Sequence, residues 1–239
     1  MRDIRKKYRR SVLGVVWSIL NPLLTMAITA MVFSALFRFT IDNYPLYLLT
    51  GQIMFTFYAE STNFAMASVI ENGALIKKVY IPKYLFPLSR VLSSLVNFLF
   101  TMPALILIVL ATGQSVHWQM LSVAIPLILF FFFCLGVGFL LSASAVYFRD
   151  MFHLYGVVVS LLNYATPIFY PAEIVPEEYV WLQQCNPLYY FCEAFREPLY
   201  NGILPDGALL LQCAFLALAA MIVGVTVFSR KQNHFILYV

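Results

Sequence analysis

Six apolar stretches, each near the length of a bilayer crossing and separated by polar breaks, divide this chain and decide its solvent. They cover about 17–39, 46–68, 91–111, 120–146, 151–170 and 208–228. A helix needs roughly 20 apolar residues to cross a hydrocarbon core ~30 Å thick. Lipid accepts such segments only when their backbone polar groups are satisfied internally. The 239 residues are 62% hydrophobic and 11% charged, against about 25% charged in ordinary globular chains. A soluble domain of this length has no interior large enough to hide that surface. The expectation is an all-α integral membrane protein: six transmembrane helices in one domain over 1–239, with no internal repeat and no low-complexity linker.

The first residues carry Arg2, Arg5, Lys6, Lys7, Arg9 and Arg10 against Asp3. A basic start followed by an apolar run resembles a signal peptide. The apolar run is a full crossing here, whereas a signal peptide has a hydrophobic region of about 7–15 residues. The reading is an amphipathic interfacial helix over 1–16, then a retained first span.

Basic residues fix the expected topology. With the N-terminus inside, the inner segments hold those six together with Lys77, Lys78, Lys83, Arg90, Arg149, Arg230 and Lys231. The outer segments keep only Arg38 and Arg196. That asymmetry is the positive-inside pattern. The acids Glu173, Glu177, Glu178, Glu193, Glu197 and Asp206 all fall in the long outer segment 171–206. An even number of spans returns the C-terminus to the cytoplasm.

That outer segment is no plain hydrophilic loop. Val175, Tyr179, Trp181, Leu182, Leu188, Tyr189, Tyr190, Phe191, Phe195 and Leu199 recur through it, and Pro187 splits it into two short helical pieces. Each piece is too short to cross, so re-entrant or interfacial helices are expected there. An amphipathic loop lying at the headgroups is the alternative. Cys185 and Cys192 both lie in this segment, which leaves a disulfide between them open; with Cys134 and Cys213 they form no zinc spacing.

Polar groups inside the spans are the candidates for function. Glu60 is an intramembrane carboxylate, which is costly and therefore marks a functional hypothesis. Gln52, Thr56, Glu60 and Asn63 follow at helical spacing and share one face. That stripe faces a conduit or holds a bundle together by interhelical hydrogen bonds; the sequence leaves both open. Asn163, Tyr164, Thr166 and Tyr170 form a second polar and aromatic cluster, and Pro167 is expected to kink the fifth helix.

Several chemistries are missing. No G-x-x-x-x-G-K-[ST] loop occurs. No G-x-S-x-G or H-E-x-x-H occurs either. His117, His153 and His234 are scattered, and a net charge of +4 is too mild for nucleic-acid binding. No catalytic, metal or cofactor site is expected, and energy for transport must come from a partner.

Three quoted segments then carry a resemblance. Tyr8-Arg9-Arg10-Ser11-Val12-Leu13-Gly14 with Trp17 and Asn21-Pro22-Leu23 resembles the N-terminal signature of ABC-transporter permeases that export polysaccharides: O-antigen, teichoic acid and capsule. Glu71-Asn72-Gly73-Ala74-Leu75-Ile76-Lys77-Lys78 with Ile81-Pro82 is similar to that family's cytoplasmic segment after the second span. Asn186-Pro187-Leu188 with Glu193-Ala194-Phe195-Arg196 is similar to its outer re-entrant region. The order-preserving set covers nearly the whole chain.

The resemblance implies a homodimer in the bacterial inner membrane, both termini cytoplasmic, with two separate ATPase subunits that hold ATP and magnesium. It implies a lipid-linked glycan as cargo and a coupling helix between spans two and three, with Glu71, Lys77 and Lys78 at the ATPase contact. Gln52, Phe55, Tyr58, Glu60, Tyr164, Phe169 and Tyr170 are the candidate lining of the pathway, since aromatic faces stack on sugar rings while polar groups meet hydroxyls. Arg9 and Arg10 are candidates for a diphosphate head group, with anionic lipid as the competing partner. The rival functions are an ABC permease for small drugs or lipids and a membrane-embedded transferase.

Overall fold

The computed structural model describes residues 16–37 and 41–238, with side chains throughout those ranges except at 34–37. The expected interfacial helix, Arg9, Arg10 and Arg38 lie outside the described residues. What is described is helical, with turns and short extended connections and no strand.

Helix α1 spans Val16–Phe37. Helix α2 spans Tyr44–Glu71, and the short α3 follows at Gly73–Lys78. Helices α4 (Leu85–Ala111), α5 (Ala124–Tyr147) and α6 (Met151–Ala165) come next. The outer segment contributes α7 (Val180–Gln184) and α8 (Pro187–Arg196). Helix α9 spans Gly207–Lys231.

Four of these helices are long and apolar enough to cross a membrane: α1, α4, α5 with the turn before it, and α9 with the turn after it. Helix α2 has the length, about 42 Å at ~1.5 Å per residue. Its polar stripe lowers its hydropathy, and most of its residues are buried between α1, α4, α5 and α8. It is the central pillar, shielded from lipid by its neighbours.

The fifth apolar stretch departs from expectation. Its helix stops at Ala165 where the sequence predicts continuation to 170. Pro167 is the cause: a proline disfavours the helical region for the residue before it, and Thr166 is extended at φ −86, ψ 131. Fifteen residues rise only ~22 Å, short of the hydrocarbon core, and residues 166–170 continue as a non-helical strap of bends.

In lipid the helices gain little from hiding apolar surface from one another, so close packing must hold them. Two devices supply it. Helices α5 and α9 touch backbone to backbone at Gly136 and Gly224, where a Cβ on Gly224 would lie 2.0 Å from the Gly136 carbonyl oxygen. Between α2, α4, α5 and α8 sits an aromatic cluster. Phe130 packs on Phe191 at 4.9 Å between ring centroids, Phe133 on Phe191 at 5.1 Å, and Phe57 on Phe98 at 5.3 Å. Such pairs contribute about 0.5–1.5 kcal/mol each beyond burial.

The α8 half of segment 171–206 is therefore part of the core, while 171–185 stays mostly exposed. Pro187 occupies the first turn of α8, and the Asn186 side chain caps it by accepting the Leu188 N–H at 3.0 Å. Leu188, Phe191, Cys192, Ala194 and Phe195 are all buried. Arg196, counted above among the outer charges, is 1% exposed. Cys192 is buried while Cys185 is exposed, and both are free thiols.

At the opposite end of the bundle, Phe235 is buried against Tyr147 and Phe228. Lys83 donates to the Gln232 carbonyl at 2.6 Å, tying the segment after α3 to the end of α9.

Candidate functional site

A cavity of about 610 Å³ opens between α1, α2 and α4, with Asn163 of α6 and Phe169 of the strap completing its wall. Its polar lining comes from three helices at helical spacing. Helix α1 contributes Ser18, Asn21, Thr25 and Thr29. Helix α2 contributes Gln52, Thr56 and Glu60, and α4 contributes Ser94, Asn97 and Thr101. Steps of three and four put each set on one face, and the three faces converge. Trp17, Phe55, Phe57, Phe98 and Phe169 supply aromatic wall between them.

The stripes of α1 and α4 escape a reading that looks only for charge. Ser, Thr and Asn are mild polar residues, and singly they are common in membrane helices. Their spacing is the signal that finds them, once two stripes are compared with the third.

Local chemistry separates lining from scaffolding. Gln52 donates from Nε2 to Thr29 Oγ1 at 3.2 Å, bridging α2 to α1. Gln52 Oε1, Asn97 Oδ1 and Ser94 Oγ have no hydrogen-bond partner among the described residues, and all three residues line the cavity. Ser94 is 1% exposed. Buried acceptors of this kind are normally satisfied; these three atoms are themselves buried in the cavity wall and meet an occupant only when their side chains turn. Asn63, the fourth residue of the α2 stripe, turns back instead and donates to the Ala59 carbonyl at 2.7 Å.

The seven lining candidates fall into three places. Gln52, Phe55, Glu60 and Phe169 share the cavity. Tyr58 is buried on the adjoining face of α2, stacked on Phe130 and Phe133 at 6.4 and 6.1 Å. Its ring lies 6.3 Å from that of Phe55, one turn earlier, so it backs the cavity wall from the adjoining face of α2 without lining it. Tyr164 and Tyr170 line a separate depression of about 510 Å³ on the face of α6, with Tyr179, Leu182 and Gln183.

Glu71 ends α2 and pairs with Arg90 at 2.8 Å. Both groups are partly exposed, so the pair adds little stability. Lys77 and Lys78 are exposed in the last turn of α3, beside exposed Leu75, Val79 and Tyr80. In the outer segment Glu197 accepts the Asp206 N–H at 2.8 Å. Burial raises its carboxyl above the usual range, against that hydrogen bond, and the Asp206 and Glu193 charges push the same way as burial. No cluster of His, Cys, Asp or Glu able to hold a metal occurs among the described residues.

A family model described as ABC-2 type transporter matches residues 1–200. An O-antigen export system permease protein RfbA of Klebsiella pneumoniae is 32% identical, over 98% of this chain and 90% of its own length. The protein of that name in Myxococcus xanthus is 25% identical over 98% of this chain and 91% of its own. The polysialic acid transport protein KpsM of Escherichia coli is 22% identical over 98% of this chain and 92% of its own.

Proposed function

This chain belongs to the ABC-2 type transporter membrane family, and from that premise we propose that it is the membrane-spanning subunit of an ATP-driven exporter that moves a lipid-linked polysaccharide out of the cytoplasm across the bacterial inner membrane. The observation that carries this reading is the end-to-end match to permeases named for O-antigen export. The polar and aromatic cavity supports it physically: a glycan offers hydroxyl groups to the polar stripes of α1, α2 and α4, and ring faces to Trp17, Phe55 and Phe169.

In this reading two copies enclose the pathway, and two ATP-binding cassette subunits hold ATP and magnesium and perform the hydrolysis. The chain itself carries no catalytic step. Helices α1, α2, α4, α5, α6 with its strap, and α9 are the six crossings. Both termini are cytoplasmic, and α7 and α8 re-enter from the outer face. Glu71, Lys77 and Lys78 meet the ATPase, whose closure on ATP pushes α3 and so tilts α2, the pillar that carries Gln52, Phe55 and Glu60. Arg9 and Arg10 meet the diphosphate of the lipid carrier at the inner surface. Tyr164 and Tyr170 belong to the outer half of the path, and Tyr58 supports it from behind.

Co-purification from native membranes tests the assignment. A P-loop ATPase recovered at equal stoichiometry supports it; a chain that purifies alone and stable contradicts it. A dye exported in place of a labelled glycan turns the reading toward a small-molecule permease.

A further inference from the structure

Residues 166–170 leave the helical ladder after α6 as a strap buried at 166–168; the Thr166 carbonyl accepts the Ile168 N–H at 2.7 Å, and the carbonyls of 167–170 are left without a helical partner. Side chains from elsewhere take them. The Tyr47 hydroxyl donates to the carbonyls of Pro167 and Tyr170 at 3.2 and 2.9 Å. The Tyr44 hydroxyl donates to Phe169 at 2.8 Å, and Arg196 Nη2 donates to Ile168 at 3.4 Å. Asn186 Nδ2 adds a bond to Thr166 Oγ1 at 2.8 Å. The strap is thus held between the start of α2 and the end of α8.

Arg196 organises this clamp. Its guanidinium stacks on the Tyr47 ring, 3.6 Å from the centroid, and pairs with Glu193 at 3.2 Å. Gly51 leaves room for it: a Cβ there would come within 3.1 Å of Nη2. What the strap presents is Phe169. Its ring stacks on Phe33 of α1 at 5.1 Å and closes the wall of the cavity beside the Gln52–Thr29 bond.

We propose that Phe169 and Phe33 shut the end of the cavity nearest Asn43, the outer end in the topology above, and that Arg196 is the positioning residue that holds the strap in the shut state. The choice of a charged residue is physical. An apolar anchor makes none of these polar contacts, and its hold is not loosened by water, which favours apolar contact. A buried guanidinium is costly to desolvate, so water entering the outer end stabilises the released side chain and weakens the clamp as the path opens. The inference rests on the export reading, and the test separates the two.

The experiment uses the full chain with its ATPase in right-side-out vesicles. Thr29→Cys is introduced in a Cys185→Ser background and labelled from outside with a membrane-impermeant maleimide. Labelling is slow in this parent. Phe169→Ala and Arg196→Met each speed it by about tenfold or more, the change that ~1.4 kcal/mol of lost closing free energy produces. Tyr47→Phe, which deletes one hydroxyl and keeps the ring, speeds it by about threefold and keeps the test open should Arg196→Met not fold. Labelling at the parental rate in Arg196→Met and Tyr47→Phe, with Phe169→Ala fast or slow, overturns the clamp. Fast labelling in all three variants with no glycan export by the parent leaves the clamp standing and sinks the export reading.

Discussion

The Arg196 guanidinium lies 3.6 Å from the centroid of the Tyr47 ring, with the cation buried and its Nε without a hydrogen-bond partner among the described residues. A cation over an aromatic face is worth ~2 kcal/mol or more once desolvated. Removing the cation also strands Glu193 and the Ile168 carbonyl. Arg196→Ala should cost on the order of 3 kcal/mol, read as a lowered melting temperature of the purified protein. Arg196→Met, which fills the same space, should cost clearly less. Equal losses in the two would place the energy in the cation's own contacts, with none in packing.

The contact between α5 and α9 makes a second prediction. Gly224→Ala puts a methyl 2.0 Å from the Gly136 carbonyl oxygen, a backbone atom that cannot rotate away. The helices must separate, at a cost of about 1–3 kcal/mol or more. Gly156 on α6 is the control, since nothing lies within 4 Å of a Cβ there. Gly156→Ala should be neutral or stabilising by up to ~1 kcal/mol, because alanine favours the helix. Melting curves of the two variants side by side decide it.

These two sites show where a sequence stops being readable. Helices α1, α4, α5 and α9 are legible because each must carry its own apolar coat into lipid. The end of α6 is legible in kind, since Pro167 marks a break, but a break and a kink look alike until the strap finds its hydrogen bonds. Arg196 is not legible at all. A charge between spans reads as solvated, and nothing local says that Tyr47, 149 positions earlier, lies beneath it. The Gln52, Thr56 and Glu60 stripe points to the cavity from sequence, whereas the α1 and α4 stripes show their meaning only when packing brings the three together.

The cavity makes the third prediction. Gln52→Leu removes the bond to Thr29 and a polar lining group while keeping helix propensity and volume. Export of glycan by the reconstituted complex should slow about fivefold, the equivalent of one ~1 kcal/mol hydrogen bond, with ATPase binding unchanged. Tyr58→Phe, which keeps the ring packed on Phe130 and Phe133 outside the cavity lining, should leave the export rate as it is. A larger effect at Tyr58 than at Gln52 would move the path to the other face of α2.

Charge reversal at α3 makes the fourth. Lys77 and Lys78 are exposed, so Lys77→Glu with Lys78→Glu should fold normally. Export and glycan-stimulated ATP hydrolysis should both fall, by about tenfold if each lost contact is worth ~0.7 kcal/mol. Intact export in the double variant removes α3 from the docking surface.

The central claim is that this chain forms the path and a partner supplies the energy. The most direct measurement is uptake of a labelled lipid-linked glycan into inside-out proteoliposomes holding the purified chain with its ATPase. The account predicts accumulation that requires ATP and both proteins, and that stops when the ATPase cannot hydrolyse. Accumulation by the chain alone, driven by an ion gradient without ATP, would contradict it.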